Sequence, residues 1–309
     1  MTEAFPASQA FQAIHDIGRS VTVRDGEIEL FRYTYAPDHP QLESPRPYLH
    51  PLRTRGGDLV SLYRPHDHVW HKGISWALPV IDDENFWGGW SYVHGQGYVS
   101  LPNNGEQRAM GEVAVTVGEA VTIAHELQWI TQAGEHWFDE RRVLTAAPVS
   151  ETAWALSFET RMTNVRGSAV SFGSPTTRGR ENAGYGGLFW RGPRSFTGGT
   201  LVAPGVQGRD ELRGQRHEWM GFAGRHDGVD RSSLLLMLDD DRNPHHPPQW
   251  FARSDEFAAL NPAPFFSEET VVAAGDTLHH RYGVGVADGT VDDAAGLADA
   301  VRDLVRSAG

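Results

Sequence analysis

Glycine and proline interrupt this sequence so often that few stretches are long enough for a helix of several turns. The 309 residues include 34 glycines and 18 prolines, and the segments between them are short and rich in β-branched or aromatic side chains. Apolar and polar residues alternate over residues 28–33 and 112–117, which is the period of a half-buried antiparallel strand. Because frequent breakers and alternation both disfavour helices, the sequence predicts an all-β protein.

Segments of the same kind recur through the middle of the chain, at residues 138–144, 153–164 and 169–172. Short strands at regular intervals are typical of a large antiparallel β-sandwich. Only residues 290–307 place apolar side chains at helical spacing. No repeat or linker divides the sequence, so we expect one β-sandwich domain over residues 1–309 with a C-terminal helix at 290–307.

The charge balance excludes several classes of partner. Forty acidic side chains against 27 basic ones give a net charge of −13, which argues against the basic surface that nucleic acids or anionic lipids require. No apolar run approaches the ~20 residues that span a bilayer, and residues 1–16 lack a signal-peptide pattern. We therefore expect a cytoplasmic protein that binds neither nucleic acid nor membrane; its oligomeric state is left open. The absence of cysteine excludes thiol nucleophiles and thiolate metal sites.

Chemically active side chains are densest in residues 64–73. In an extended strand His66 and His68 would share one face, and His71 would lie on the other. Three histidines form a familiar ligand set for zinc, copper or iron, but the third is out of strand phase and no carboxylate is fixed by spacing. We therefore favour a pocket with acid and base capacity and no assigned cofactor, and we keep a histidine-bound metal as an alternative. The candidates in this segment are Arg64, His66, Asp67, His68, Trp70, His71 and Lys72, which is the one lysine of the chain.

Two further segments combine aromatic and basic residues. Residues 177–194 place them among glycines, as in loops where the backbone comes close to a ligand, and contain no phosphate-binding glycine motif. Residues 243–253 add histidine and tryptophan. Tryptophan beside polar groups suits a sugar, because the C–H face of the sugar stacks on indole while its hydroxyls form directional hydrogen bonds. Together with residues 85–90, these segments contribute the candidates Trp87, Arg178, Glu181, Tyr185, Trp190, Arg191, His246 and Trp250.

Five short motifs spread along the chain occur together in a known family. They are His50-Pro51-Leu52, Asp67-His68-x-x-His71-Lys72-Gly73, Asn85-Phe86-Trp87, the run from Gly186 to Arg191, and Gln249-Trp250-Phe251. The set resembles the DUF6807 family, often labelled methane oxygenase PmoA, over residues 20–289. The family's Asp-His-Pro-His-His-Arg-Gly signature is altered here, with Trp70 in place of histidine and Lys72 in place of arginine.

The resemblance implies a fold and a class of ligand. The methane-oxygenase label implies a membrane protein, and it does not suit a chain without a spanning segment. The strand-rich layout of the family is similar to the galactose-mutarotase type of β-sandwich, which includes sugar epimerases, polysaccharide lyases and domains of glycoside hydrolases. The resemblance therefore implies a galactose-mutarotase-like sandwich and a small carbohydrate as the partner.

The leading hypothesis is a carbohydrate-active enzyme, an epimerase, lyase or hydrolase, that acts on a small sugar or glycoside. His68 and His71 would transfer protons, with assistance from Asp67 or Glu181. Polar substrate contacts are predicted for Arg64, His66, Lys72, Arg178, Arg191 and His246, and an aromatic wall for Trp70, Trp87, Tyr185, Trp190 and Trp250. The alternatives are a noncatalytic sugar-binding or regulatory protein with the same pocket, and a metal-dependent oxidoreductase built on the three histidines of residues 66–71.

Overall fold

Antiparallel strands make up most of the architecture, as the alternating segments predict. The computed structural model describes residues 10–308, which form 22 strands and one α-helix. The first eleven strands are β1 (Gln12–Asp16), β2 (Ser20–Asp25), β3 (Ile28–Thr34), β4 (Tyr48–Leu52), β5 (Ile74–Ile81), β6 (Glu84–Phe86), β7 (Ser91–Val93), β8 (Gly97–Val99), β9 (Glu106–Val117), β10 (Val121–Ile130) and β11 (His136–Pro148). The others are β12 (Ala153–Asn164), β13 (Val170–Gly173), β14 (Gly187–Arg191), β15 (Thr200–Ala203), β16 (Val206–Gly208), β17 (Trp219–Arg225), β18 (Ser232–Asp239), β19 (Gln249–Arg253), β20 (Ala259–Ala263), β21 (Thr270–Val272) and β22 (Thr277–Asp288). Helix α1 spans Ala294–Ser307, and short 3-10 helices span Gln41–Glu43, Arg194–Phe196, Asp210–Leu212 and Val291–Asp293.

Two large sheets form the body of the protein. One has 11 strands, with the path β1-β2-β3-β4-β5-β14-β20-β19 and with β6, β13 and β21 attached beside it. The other has 9 strands in the order β16-β15-β17-β18-β22-β12-β11-β10-β9. Strands β7 and β8 pair with each other as a separate hairpin. The pairings between these strands are antiparallel, so the predicted all-β antiparallel class is confirmed.

The two large sheets face each other across a shared apolar core. Phe31 on β3 stacks on Trp154 of β12 with ring centroids 5.4 Å apart. Trp76 on β5 lies against Tyr282 of β22 with ring centroids 5.7 Å apart, and all four side chains are buried. In β10 the side chains alternate between buried and partly exposed, because successive residues of a strand point to opposite faces. The predicted sandwich is confirmed by this arrangement.

Helix α1 covers the outer face of the nine-stranded sheet. Its side chains Leu297 and Val301 lie over Gly283 and Gly285 of β22. A Cβ added at Gly283 would come within 2.2 Å of Val301, and one added at Gly285 within 2.8 Å of Leu297. The alternation of glycine and valine in β22 therefore gives the helix room on one face and supplies valines to the core on the other.

The predicted C-terminal helix is confirmed, but it starts later than expected. Helix α1 begins at Ala294, and the preceding residues Val291–Asp293 form a 3-10 turn that Thr290 caps. The predicted single domain over residues 1–309 stays a prediction, and its ends at 1–9 and 309 lie outside the described residues, as does much of the segment inspected for a signal peptide. No helix within residues 10–308 is both long enough and apolar enough to cross a membrane.

Candidate functional site

A cleft of about 580 Å³ lies over the face of strands β14 and β19 that points away from the shared core. Its wall combines the loop between β4 and β5, the loop that follows β6, the loop before β14, and the end of β19 with the residues after it. These segments lie far apart in the sequence and meet because β5, β14, β20 and β19 are neighbours in the sheet. Six of the predicted site residues line the cleft: His68, Trp70, His71, Trp87, Glu181 and Tyr185.

The signature loop of residues 64–73 is not extended, which corrects the expectation that His66 and His68 share a face. Two turns follow one another, with His68 N donating to the carbonyl of Pro65 and His71 N donating to the carbonyl of His68, each over 2.9 Å. Because each turn advances three residues, the His68 and His71 rings come to the same side and stack with centroids 4.7 Å apart and an angle of 15° between planes. The loop ends at Gly73, whose positive φ of 55° and contact with the backbone of β4 leave no room for a Cβ.

Asp67 orients the neighbouring His68. Its Oδ2 accepts a hydrogen bond from His68 Nδ1 over 3.0 Å, and Arg194 donates to its Oδ1 over 2.8 Å. Partial burial acts to raise the pKa of this carboxyl, but the hydrogen bonds from His68 and Arg194 outweigh it and hold the pKa of Asp67 well below its usual range. The carboxylate is therefore charged and can only accept. His68 Nδ1 carries the proton of the neutral ring, and Nε2 is left as an acceptor.

Arg191 sets the opposite tautomer in His71. The guanidinium is buried, and its Nη1 donates to His71 Nδ1 over 3.1 Å. Since a guanidinium can only donate, Nδ1 accepts and the ring proton resides on Nε2. Burial first, and then the nearby His68 and Arg191, lower the pKa of His71 well below its usual value, so the ring is neutral. Arg191 also reaches Asp67 Oδ2 over 3.5 Å. It therefore links both histidine systems from behind the cleft and is not itself among the lining residues.

The two stacked imidazoles present different groups to the cleft. His68, with 36% of its side chain exposed, offers Nε2 as a proton acceptor. His71, which is 4% exposed, offers Nε2–H as a donor. Such a pair can remove a proton from one atom and hydrogen-bond the charge that develops on another.

Aromatic rings form the wall beside this pair. Trp87 lies with its ring centroid 5.6 Å from His71 and 4.7 Å from Tyr185. Phe257 closes the other side, 5.7 Å from the His68 ring. The cleft therefore offers apolar ring surfaces next to two polar nitrogen groups, which suits a small molecule that has both C–H faces and hydroxyls.

Two tryptophans that were predicted to form the aromatic wall do not line the cleft, because they lie on the other face of their strands. Trp190 and Trp250 are buried in the sandwich core, where each indole Nε1 donates to a backbone carbonyl over 2.8 Å. Their neighbours Phe189 and Phe251 line the cleft instead, because successive side chains of a strand point to opposite faces. Tryptophan is a typical sugar-binding residue, but its position in the strand decides whether its side chain faces the core or the cleft.

Further lining residues that were not predicted include Trp90, Arg180 and Arg253, which lie within the candidate segments 85–90, 177–194 and 243–253. They also include Tyr98, Arg213, Glu256 and Phe257, which lie outside those segments. For Arg253 a signal existed, since it shares the parity of Phe251 on β19. Nothing in the sequence pattern points to Arg213.

Arg64 and Lys72 bind Glu43 and do not line the cleft, which corrects their predicted role as substrate contacts. Lys72 is fully buried, and its Nζ contacts the Glu43 carboxylate and donates to the carbonyl of Val69 over 3.1 Å. Arg64 donates to both carboxylate oxygens of Glu43, over 2.9 and 2.6 Å. Burial lowers the pKa of Lys72 to about 8, and the hydrogen bond to Glu43 opposes that shift. These two cations therefore anchor the signature loop.

Three other predicted contacts also lie outside the cleft. The exposed His66 accepts a hydrogen bond from Arg194 over 3.2 Å. Arg178 lines a neighbouring depression and donates to the backbone carbonyl that follows β5 over 2.8 Å. His246 bonds Asp239 over 2.7 Å, and this hydrogen bond raises the pKa of His246. Each side chain has a partner that directs it elsewhere, and such partners cannot be read from local spacing.

The three histidines of the signature loop do not converge on a common point. The Nδ1 atoms of His68 and His71 engage Asp67 and Arg191, and His66 is turned toward another arginine. Within residues 10–308, no three His, Asp or Glu side chains are grouped as a metal site requires. The residues present therefore do not fit a histidine-bound metal.

The fold and the cleft together define a β-sandwich protein with a pair of histidines set in an aromatic cleft. The chain belongs to DUF6807, a family of unknown function, whose family model matches residues 20–302. The predicted family membership is therefore confirmed. A comparison with curated protein sequences gives no match.

Several solved structures match this chain at low identity. A putative aldose 1-epimerase from Klebsiella pneumoniae subsp. pneumoniae MGH 78578 is 12% identical with a TM-score of 0.40, over 96% of this chain and 86% of that one. An alpha-galactosidase from Lactobacillus brevis is 7% identical with a TM-score of 0.42, over 90% of this chain and 40% of that one. A heparinase III is 12% identical with a TM-score of 0.36, over 94% of this chain and 36% of that one.

Proposed function

We propose that the cleft is the active site of a carbohydrate-active enzyme that acts on a small sugar or glycoside by proton transfer. The observation that carries the proposal is the His68–His71 pair, two stacked rings in one cleft held in complementary tautomers by Asp67 and Arg191. One ring is poised to accept a proton and the other to donate a hydrogen bond. The aromatic rings around them suit the C–H faces of a sugar.

In the proposed mechanism His68 is the base. Its Nε2 takes a proton from a carbon next to a carbonyl or carboxyl group of the sugar, and Asp67 stabilises the imidazolium that forms. The electron pair of the broken C–H bond moves onto the adjacent oxygen, which His71 Nε2–H stabilises by a hydrogen bond. Delivery of a proton to the opposite face of that carbon by a second acid gives an epimer, and loss of a β-substituent, protonated as it leaves, gives an unsaturated sugar. Both outcomes conserve atoms and charge without an oxidant.

Glu181 is the remaining acid of the proposal. It is exposed and lines the cleft on the loop before β14, so its carboxyl group can reach a sugar bound there. Protonation of a leaving oxygen or of the opposite carbon face is the role we assign to it. The carbohydrate as partner and the cytoplasm as location stay predictions from the sequence.

The proposal is tested by incubating the protein with a panel of free sugars, sugar acids, keto-sugars and glycosides and recording ¹H NMR spectra. In D₂O, an epimerase that works through His68 places deuterium at the epimerised carbon, whereas a lyase gives the vinyl proton signal of an unsaturated sugar. His68→Ala should lower turnover by about 100-fold or more, the usual contribution of a placed base. His136→Ala, a change of the same type on β11 away from the cleft, should leave turnover unchanged.

A sugar that binds without exchange or conversion would identify the second candidate, a noncatalytic sugar-binding protein. Turnover that survives unchanged in both His68→Ala and His71→Ala would refute the proposed mechanism.

A further inference from the structure

Three arginines gather on the side of the cleft that Tyr98, Tyr185 and Phe251 form. Arg213 and Arg253 each place Cζ 5.9 Å from the centroid of the Phe251 ring. Arg180 reaches the same side through a hydrogen bond to Tyr98. All three side chains line this one cleft, so their like charges repel one another and an anion bound among them would relieve that repulsion. Burial lowers the pKa of Arg213, the charge of Asp210 opposes the shift, and the positive charges of Arg253 and Arg180 add to it.

Arg180 is the least compensated of the three. In the part of the chain that the structure describes, it makes one hydrogen bond, to the hydroxyl of Tyr98, and no carboxylate pairs with it. Its Cζ lies 4.8 Å from the centroid of the Tyr98 ring. A guanidinium has five N–H donors, so most donors of Arg180 are available to a ligand in the cleft.

Arg213 and Arg253 each pair with a carboxylate, which is mostly buried for Arg213 and mostly exposed for Arg253. Arg213 donates to Asp210 over 2.5 Å, and the second oxygen of Asp210 accepts the backbone N–H of Ser254 over 2.6 Å. This pair is anchored and directs the guanidinium. Arg253 pairs with Glu256, whose side chain is 69% exposed, so solvent screens the pair and a ligand can compete for it.

Aromatic rings connect the arginines with the reaction centre. Phe257 lies 5.3 Å from Arg253 Cζ and 5.7 Å from the His68 ring. On the other side, the hydroxyl of Tyr185 bonds that of Tyr98 over 2.9 Å, while its ring contacts Trp87. A ligand lying on these rings would reach the histidine pair at one end and the arginines at the other.

We propose that Arg180, Arg213 and Arg253 form an anion-binding subsite that holds an oxyanion of the substrate, a carboxylate or a phosphate. This inference rests on the proposed function and narrows its substrate class to acidic sugars. Charged donors recognise oxyanions with strong hydrogen bonds, and guanidinium groups fit them with two parallel bonds. A chain with a net charge of −13 repels anions over most of its surface, so a local group of arginines is needed to attract one.

The test compares ligands that differ only in charge. D-glucuronate, its neutral amide D-glucuronamide, D-glucose 6-phosphate and D-glucose are titrated into the full chain by calorimetry and saturation-transfer NMR, and the galactose series is run in parallel. We expect D-glucuronate or D-glucose 6-phosphate, or its galacto counterpart, to bind about 10- to 100-fold more tightly than the matched neutral ligand. A preference for one of the two anions identifies whether carboxylate or phosphate is the source.

Arg180→Gln should remove most of the preference for the anion and change the affinity for the neutral ligand by less than about twofold, since only charge-assisted bonds are lost. Arg225→Gln makes the same change in an exposed ion pair outside the cleft and should keep the preference. Inorganic phosphate alone, titrated into both variants and the wild type, provides a reading that needs no sugar ring.

Equal affinity for the charged and neutral ligands, or an equal loss of both in Arg180→Gln, would overturn the anion subsite. These outcomes are separate from the proposed function. An anion preference without turnover would retain the subsite and refute the enzyme. Turnover of neutral sugars that requires His68, without a preference for anions, would retain the proposed enzyme and refute the subsite.

Discussion

Two clusters in this protein combine carboxylate, arginine and histidine, and they serve different ends. The cleft cluster consists of Asp67, His68, His71 and Arg191, and the core cluster consists of Tyr33, His125, Glu140 and Arg142. In the core cluster Arg142 donates to both oxygens of Glu140, over 2.7 and 2.8 Å. Trp129 and Thr160 also donate to this carboxylate, over 2.7 and 2.8 Å. Every member of the core cluster is buried between the sheets.

The clusters differ in which polar atoms have no partner within the protein and in whether the side chains that carry them line the cleft. In the core cluster both oxygens of Glu140 have two partners, and no member lines the cleft. In the cleft cluster the partners of His68 and His71 occupy the Nδ1 atoms, and both rings line the cleft. The same residue types therefore support the fold in one place and are available for chemistry in the other. Residue type alone does not distinguish these roles; the contacts do.

Glu140→Gln should break the core cluster and produce the largest loss of stability. It removes the charge that compensates Arg142 in a site with no access to solvent, so we expect unfolding free energy to fall by about 3–5 kcal/mol. Urea denaturation followed by tryptophan fluorescence measures the loss. Glu126→Gln, in an exposed ion pair with Arg141, is the matched control and should cost less than about 1 kcal/mol. Similar losses in the two variants would show that the core cluster is not a structural ion pair.

Asp67→Asn should have the converse effect in the cleft cluster. An amide neither fixes the His68 tautomer by charge nor stabilises the imidazolium, so turnover of the sugar identified by NMR should fall by about 100-fold. The side chain of Asp67 is 34% exposed, and its contact with the buried Arg191 is long, at 3.5 Å, so the loss of stability should be about 1 kcal/mol, well below that of Glu140→Gln. Kinetic assays and urea denaturation are made on the same preparations.

Asp230→Asn, in a fully exposed pair with an arginine, controls for the change from aspartate to asparagine and should leave turnover unchanged. If Asp67→Asn destabilised the protein as much as Glu140→Gln does and left turnover intact, the contrast between the clusters would be lost.

The strands and the helix could be predicted from the sequence because alternation and helical spacing are local properties. The order of the strands could not, since β14 pairs with β5 and β20 across long stretches of chain. That order brings Phe251 and Arg253 into the cleft that His68 and His71 also line. The sequence motifs therefore pointed to His68 and His71, which line the cleft, but not to Phe251 and Arg253, whose place there depends on distant strand pairing.

Three residues with conspicuous chemistry, Lys72, Trp190 and Trp250, were predicted to contact the substrate but do not line the cleft. Lys72 stands out as the one lysine of the chain, yet it is sealed against Glu43 because the turns of the signature loop direct it inward. Trp190 and Trp250 belong to the core by strand parity. The contact with Glu43 decides the role of Lys72, whereas the two tryptophans take their role from the side of the strand on which they lie.

A smaller effect is expected in the pH dependence of stability, which His125 of the core cluster should control. Burial lowers the pKa of His125 from 6.5 to about 3, with the charge of Arg142 adding to the shift. Between pH 6.5 and 3 the unfolded chain therefore binds a proton at this ring that the folded chain does not. Stability supplied by the neutral ring is complete above pH 6.5 and is lost as the pH falls, at up to about 1.4 kcal/mol per pH unit.

His125→Gln keeps a partner for the hydroxyl of Tyr33 and removes the titration. We expect its unfolding free energy, measured by urea denaturation at pH 6 and pH 5, to fall by about 1 kcal/mol less than that of the wild type. Equal slopes would show that His125 is protonated in the folded core, and the core cluster would then hold a charge that its contacts do not compensate.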